Sequence, residues 1–140
     1  FLDLSKAFDS IDHAIRIYKL RRLGFQQNSL HILQDYLSNR QQRVKIGSTY
    51  SDWIELTRGV PQGTILGPLL FTLYVNDMQE ILGDGCKLIQ YADDTCLFVC
   101  GTDVVEITKK LVDKTQLLVQ YFQTHCLAIN VTKTNFLLIL

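Results

Sequence analysis

"CKLIQYADDTCLFVC" (residues 86–100) decides the fold. β-forming residues flank Asp93 and Asp94 on both sides, so the segment reads as two strands meeting at a tight turn on the aspartates. Fixing two like charges side by side in such a segment costs desolvation and mutual repulsion. Three compensations are open: a shared proton, a basic partner or a divalent cation. A shared proton suits carboxyls that converge from separate segments, whereas neighbours on a strand point to opposite faces. A cation is the better candidate, provided that a third carboxylate comes from elsewhere. Asp3, in the short apolar opening "FLDL" (1–4), supplies it. Magnesium prefers hard oxygen donors, few protein carboxylates, and substrate phosphates to complete its shell.

Working outward, "SKAFDSIDHAIRIYKLRRLGF" (5–25) predicts a helix capped by Ser5, with Ile11, Ala14, Ile15 and Tyr18 on its buried face. A second helix is expected over 29–37. "QRVKIGSTYSDWIELT" (42–57) alternates like a hairpin. "RGVPQGTILGP" (58–68) reads as a loop, and Pro68 then fits the first turn of a helix to about Glu80. Asp103 caps a long helix to about Phe122, with Val104, Ile107, Leu111, Leu118 and Phe122 facing inward. "LAINVTKTNFLLIL" (127–140) gives a turn at Asn130–Lys133 and then a final strand. Without the insertion at 16–57 the order reduces to βαββαβ. The expected class is therefore α+β: a split βαβ, ferredoxin-like antiparallel sheet with helices on one face, plus a helix-and-hairpin insertion.

The chain has 140 residues, 47 % hydrophobic and 20 % charged, which fits one globular domain over 1–140. Its apolar run from Leu69 to Val75 is far short of the roughly 20 residues that a membrane span needs. Both ends read as cut through strands, so a fragment of a longer polypeptide is expected. Net charge is zero, yet residues 16–45 hold seven basic side chains against the single acid Asp35. A basic arm beside an acidic centre suits a polyanion next to a metal site. The four cysteines form no Cys-x-x-Cys pair and no zinc spacing, so reduced thiols and no disulfide-linked partner are expected. No phosphate-binding G-x-x-x-x-G-K-[ST] is present.

"FLDLSKAFDSIDH", "GVPQGTILGPLLF", "YADD" and "LAINVTKTNF" follow one another in an order that resembles the palm motifs of reverse transcriptases. The resemblance is to the non-LTR retrotransposon type and, more distantly, to group II intron enzymes. It implies a polymerase palm with part of the fingers. The implied activity is RNA-templated transfer of a nucleotide from a dNTP to a DNA primer 3′-hydroxyl, using two Mg²⁺ ions, with Mn²⁺ as a substitute. Asp3 and Asp93 are the implied metal ligands, with Leu4 offering its carbonyl and Asp94 supporting the site. Ala7 and Phe8 fall on the nucleotide side, where Phe8 is the implied steric gate against a 2′-hydroxyl. Gln62 and Gly63 are implied to contact nucleotide and template, and Lys133 the pyrophosphate. Asp9 lies off the metal cluster, where helix-start capping or an ion pair is expected. Arg16–Arg22 and Arg40–Lys45 are expected to touch nucleic-acid phosphates.

The resemblance also carries departures. Arg16 stands where the family has an aliphatic residue, and "QYF" (120–122) replaces Trp-Phe. Without grips on nucleotide and duplex, the fragment by itself is expected to be inactive. An intracellular place, nuclear or cytoplasmic, is implied, with no membrane partner. Two alternatives stay open: a remnant that binds nucleic acid without catalysis, and a cyclase-type nucleotidyl transferase, for which "GVPQG" has no obvious use.

Overall fold

The structure, a computed structural model, describes residues 1–139. Its elements in chain order are β1 (Leu4–Ser5), α1 (Ala7–Ser10), α2 (His13–Arg22), α3 (Gln27–Leu37), β2 (Gln41–Gln42), β3 (Lys45–Ile46), β4 (Thr49–Tyr50) and β5 (Ile54–Glu55). There follow α4 (Leu66–Val75), α5 (Met78–Leu82), β6 (Lys87–Tyr91), β7 (Asp94–Phe98), α6 (Val104–Thr124) and β8 (Ala128–Ile129). The class is mixed helix and strand, with short antiparallel pairs. β1 pairs with β8 through Leu4 opposite Ile129, and β6 pairs with β7 from Lys87–Phe98 to Tyr91–Asp94. One isolated antiparallel bridge, Leu2 to Thr95, connects the two pairs. Side by side the partners therefore run β8, β1, β7, β6. The insertion holds two further pairs, β2 with β5 and β3 with β4, all exposed.

The expected hairpin is present, with Ala92 and Asp93 between its strands and Ala92 at φ 53°. A left-handed residue in a two-residue turn matches the twist of the flanking strands. Asp103 caps α6 as expected, accepting from the amides of Val105 and Glu106. Leu118 and Phe122 are buried on α6, whereas Val104 is exposed.

The expected helix from Ser5 is two helices. Its chain leaves α1 at Ile11 and restarts at Asp12, whose carboxylate accepts from the amides of Ala14 and Ile15. The break has a cause: the Ile11 carbonyl is taken by the Gly59 amide at 2.8 Å, and Asp12 forms a bridge with Arg58. A backbone carbonyl that points sideways to a neighbouring segment is lost to the helix ladder. The helix expected to about Glu80 likewise breaks between α4 and α5, at Asp77, whose side chain is bonded to two other helices. The last strand lies before the Asn130 turn, at β8; residues 134–139 form none, and Phe136 and Ile139 stand exposed. Leu140, the end of that expected strand, lies outside the described residues.

The buried face of α2 also differs from the expected one. Ala14 and Tyr18 are exposed, while Arg16 and Lys19 are buried beside Leu20. Lys19 donates to the Tyr74 carbonyl at 2.6 Å, to Asp77 Oδ1 at 2.6 Å and to the Tyr121 hydroxyl at 2.7 Å, pinning α2 to α4 and α6. Burial pulls its ammonium pKa down against the opposing pull of Asp77. Asp77 is also desolvated, which raises its pKa, but bonds from Lys19 and Tyr121 outweigh this and hold it low. Arg16 is fully buried, and none of its three guanidinium nitrogens has a hydrogen-bond partner among the described residues. Desolvation pulls its pKa down to about 10. The core around these cations includes Leu70, Phe71, Tyr74, Met78, Leu118 and Phe122. All four cysteines are free thiols. Among the described residues no helix is long and apolar enough to cross a membrane.

Candidate functional site

The Leu2–Thr95 bridge is closed by two reciprocal hydrogen bonds, Leu2 amide to Thr95 carbonyl at 2.7 Å and Thr95 amide to Leu2 carbonyl at 3.2 Å. One residue onward on the first strand is Asp3, and one residue back on the second is Asp94, with Asp93 in the turn beside it. The structure thus sets the segments bearing all three carboxylates on adjacent strands. Asp3 and Asp93 are half-buried and Asp94 is exposed. Asp3 is held by its backbone as well: its carbonyl accepts from the Asn130 amide at 2.8 Å, and its amide donates to Thr134 Oγ1 at 3.3 Å. Those bonds bring the turn that carries Lys133 against the Asp3 strand, with Lys133 itself exposed. Thr134 was not singled out by sequence reasoning; its position after Lys133 gives no separate signal.

Leu4 and Ala7 are buried, and Phe8 is half-buried with its ring on Phe71, centroids 4.7 Å apart. The loop with Gln62 and Gly63 docks directly on this segment. Val60 donates to the Phe8 carbonyl at 2.9 Å, and His13 Nε2 lies 2.9 Å from the Gly59 carbonyl. Gly59 is at φ +82°, and a Cβ there would lie 2.8 Å from Asp9 Cα, so no other residue fits without a shift. Gln62 Nε2 donates to Asp9 Oδ1 at 2.8 Å. Asp9 thus neither caps a helix nor pairs with a cation among the described residues, contrary to expectation. The reason is the docked loop, which offers it an amide. Gln62 and Gly63 themselves are exposed.

Part of the basic arm cannot reach a ligand, because Arg16 and Lys19 point into the core. Arg21 and Arg22 are exposed. Arg43 lies between Tyr50 and Trp53, at 4.0 and 4.4 Å from their ring centroids, on the exposed insertion.

The family described as "Reverse transcriptase (RNA-dependent DNA polymerase)" matches residues 1–138. The chain belongs to this family. It is 28 % identical over 139 residues to the RNA-directed DNA polymerase from mobile element jockey of Drosophila melanogaster, covering 95 % of this chain and 15 % of that protein. It is 31 % identical over 140 residues to the probable RNA-directed DNA polymerase from transposon BS of the same fly, covering 96 % and 15 %. A probable polymerase from transposon X-element, also from that fly, is 35 % identical over 100 residues, covering 69 % and 11 %. These relatives are polymerases of non-LTR retrotransposons, and the chain spans about 15 % of the length of the first two.

Reverse transcriptases use divalent metals. Asp3, Asp93 and Asp94 offer hard carboxylate oxygens and Leu4 a carbonyl, the donors that magnesium takes. Among the described residues no three acidic, histidine or cysteine side chains are gathered into one metal-holding group. Magnesium needs only one or two carboxylates where substrate phosphates complete its shell, so the donor chemistry fits.

Proposed function

We propose that this chain is the palm, with part of the fingers, of an RNA-directed DNA polymerase within a non-LTR retrotransposon polyprotein. The observation that carries the reading is the reciprocal Leu2–Thr95 bridge, which sets the Asp3 strand beside the Asp93–Asp94 turn. The order β8, β1, β7, β6 supports a split βαβ sheet, since that arrangement places the first and third strands side by side at the centre. The substrates in this reading are an RNA template, a DNA primer and a dNTP, and the setting is intracellular.

Asp3 and Asp93 would hold two Mg²⁺ ions, with the Leu4 carbonyl as a further donor and Asp94 supporting the turn. Bound there, such ions supply charge neutralisation for the attacking 3′-hydroxyl and the leaving pyrophosphate. Phe8, fixed against Phe71, presents a bulky ring to the sugar and excludes a 2′-hydroxyl. Ala7 beside it is small and buried, so it would back this surface rather than form it. Gln62 meets the nucleotide through its amide, and Gly63 lets the backbone approach closely. Lys133 neutralises or protonates the pyrophosphate. Arg43 and Lys45 contact template phosphates without reading sequence.

One observation favours the second reading, a nucleic-acid-binding remnant: Arg16 is buried in the core with no hydrogen-bond partner among the described residues, at a cost in stability. Metal binding separates the two. In the full-length polypeptide, Asp93→Asn should weaken Mn²⁺ binding by calorimetry at least tenfold, about 1.4 kcal/mol, whereas Asp9→Asn should leave it unchanged. Equal effects of the two substitutions would remove the assignment.

A further inference from the structure

We infer that Asp9 is a positioning residue for Gln62, fixing which end of that amide a nucleotide meets; this rests on the polymerase reading above. Gln62 is exposed on a loop, and an untethered glutamine there would populate several rotamers and both amide orientations. The Asp9 carboxylate removes that freedom. An ionised carboxylate only accepts hydrogen bonds, so the amide nitrogen must face it, and the 2.8 Å contact is charge-assisted. What remains for a ligand is the Gln62 carbonyl oxygen and one amide hydrogen, in a fixed orientation. The acceptor suits a hydroxyl or N–H donor on the incoming nucleotide.

The tether is built on backbone that cannot drift. Asp9 is held by its amide on the Lys6 carbonyl at 3.0 Å. On the other side, Thr64 Oγ1 donates to the Pro61 carbonyl at 2.8 Å and accepts from the Gly67 amide at 3.2 Å. The Val60–Phe8 and Gly59–Ile11 bonds then clamp the two segments together. Asp9 thereby links the Phe8 ring and the Gln62 amide, 54 positions apart in sequence, into one rigid wall.

The test is steady-state incorporation by the full-length polymerase, with thermal denaturation alongside. Asp9→Ala should raise KM for dNTP about tenfold while kcat changes less than about twofold. Asp9→Asn, which keeps an acceptor oxygen, should recover most of that loss. In an Asp9→Ala/Gln62→Ala double variant the KM should equal that of Gln62→Ala alone, because Asp9 acts through Gln62. Should Asp9→Ala fail to fold, Gln62→Glu serves: it should raise KM by repulsion, and adding Asp9→Asn should relieve it. Additive effects on KM in an active enzyme would overturn this inference alone. A wild-type protein that extends no primer would overturn the polymerase reading and this inference with it.

Discussion

The seam between residues 8–13 and 58–62 and the hairpin of β6 and β7 hold their functional groups in opposite ways. At the seam, backbone meets backbone through Val60–Phe8, Gly59–Ile11 and Asp12–Arg58, and Gln62 is tied at its tip. At the hairpin, Asp94 stands exposed and Asp93 sits in the turn, with the Leu2–Thr95 bridge behind them. In the proposed reading, the difference teaches which part of the site the fold makes and which it would leave for substrate. In that reading, groups that present one shape are fixed, the Phe8 ring by packing on Phe71 and the exposed Gln62 amide by its bond to Asp9. Groups that would share ions with substrate phosphates stay open, because two closely packed carboxylates without a cation would repel.

This contrast predicts that substitutions at the seam's backbone contacts act on stability, and hairpin substitutions on chemistry. The largest effect on stability should come from Gly59→Ala, which places a Cβ against Asp9 at a positive φ. It should cost about 3 kcal/mol in urea denaturation. A neutral outcome would mean that the loop is not docked. Behind the seam, Arg16→Leu should stabilise by about 2 kcal/mol, because it removes a buried guanidinium that has no hydrogen-bond partner among the described residues. Destabilisation instead would reveal a counterion.

Acid should loosen the seam more gently. Burial holds the His13 pKa below 6.5 against the opposing bond to the Gly59 carbonyl, so the folded protein binds fewer protons there than the unfolded chain. That contribution is fully present above pH 6.5 and is lost as pH falls through the lower folded value. His125, held low by burial in the same way, adds to it. Denaturation midpoints should therefore fall between pH 7 and pH 5, and His13→Gln should remove part of the fall; a flat profile would contradict this. The smallest effect on stability should be that of Asp94→Asn, within about 0.5 kcal/mol, since the side chain is exposed.

The sequence made some of this legible and hid the rest for physical reasons. The aspartate hairpin, the Asp103 cap and the loop read at 58–68, whose last three residues begin α4, follow from local chemistry, and local chemistry is what a sequence displays. Asp12 as a cap was missed because Ser5 offered an equally good local signal; the choice was made by Gly59, 47 residues away, taking the Ile11 carbonyl. Lys19 read as part of a phosphate-contacting arm, because its four-carbon stem and charge carry no sign that Asp77 and Tyr121 would enclose it. The Asp9–Gln62 contact was equally invisible, since it depends on how the loop docks. The final strand was misplaced because "FLLIL" has the composition of a strand, yet its described residues find no ladder partner.

The most direct measurement is single-nucleotide incorporation on an RNA template by the full-length protein in Mg²⁺, comparing wild type with Asp3→Asn and Asp93→Asn. The wild type should extend the primer and each variant should lose at least about a thousandfold, at unchanged denaturation midpoints. Variants that extend the primer as well as the wild type would contradict this reading.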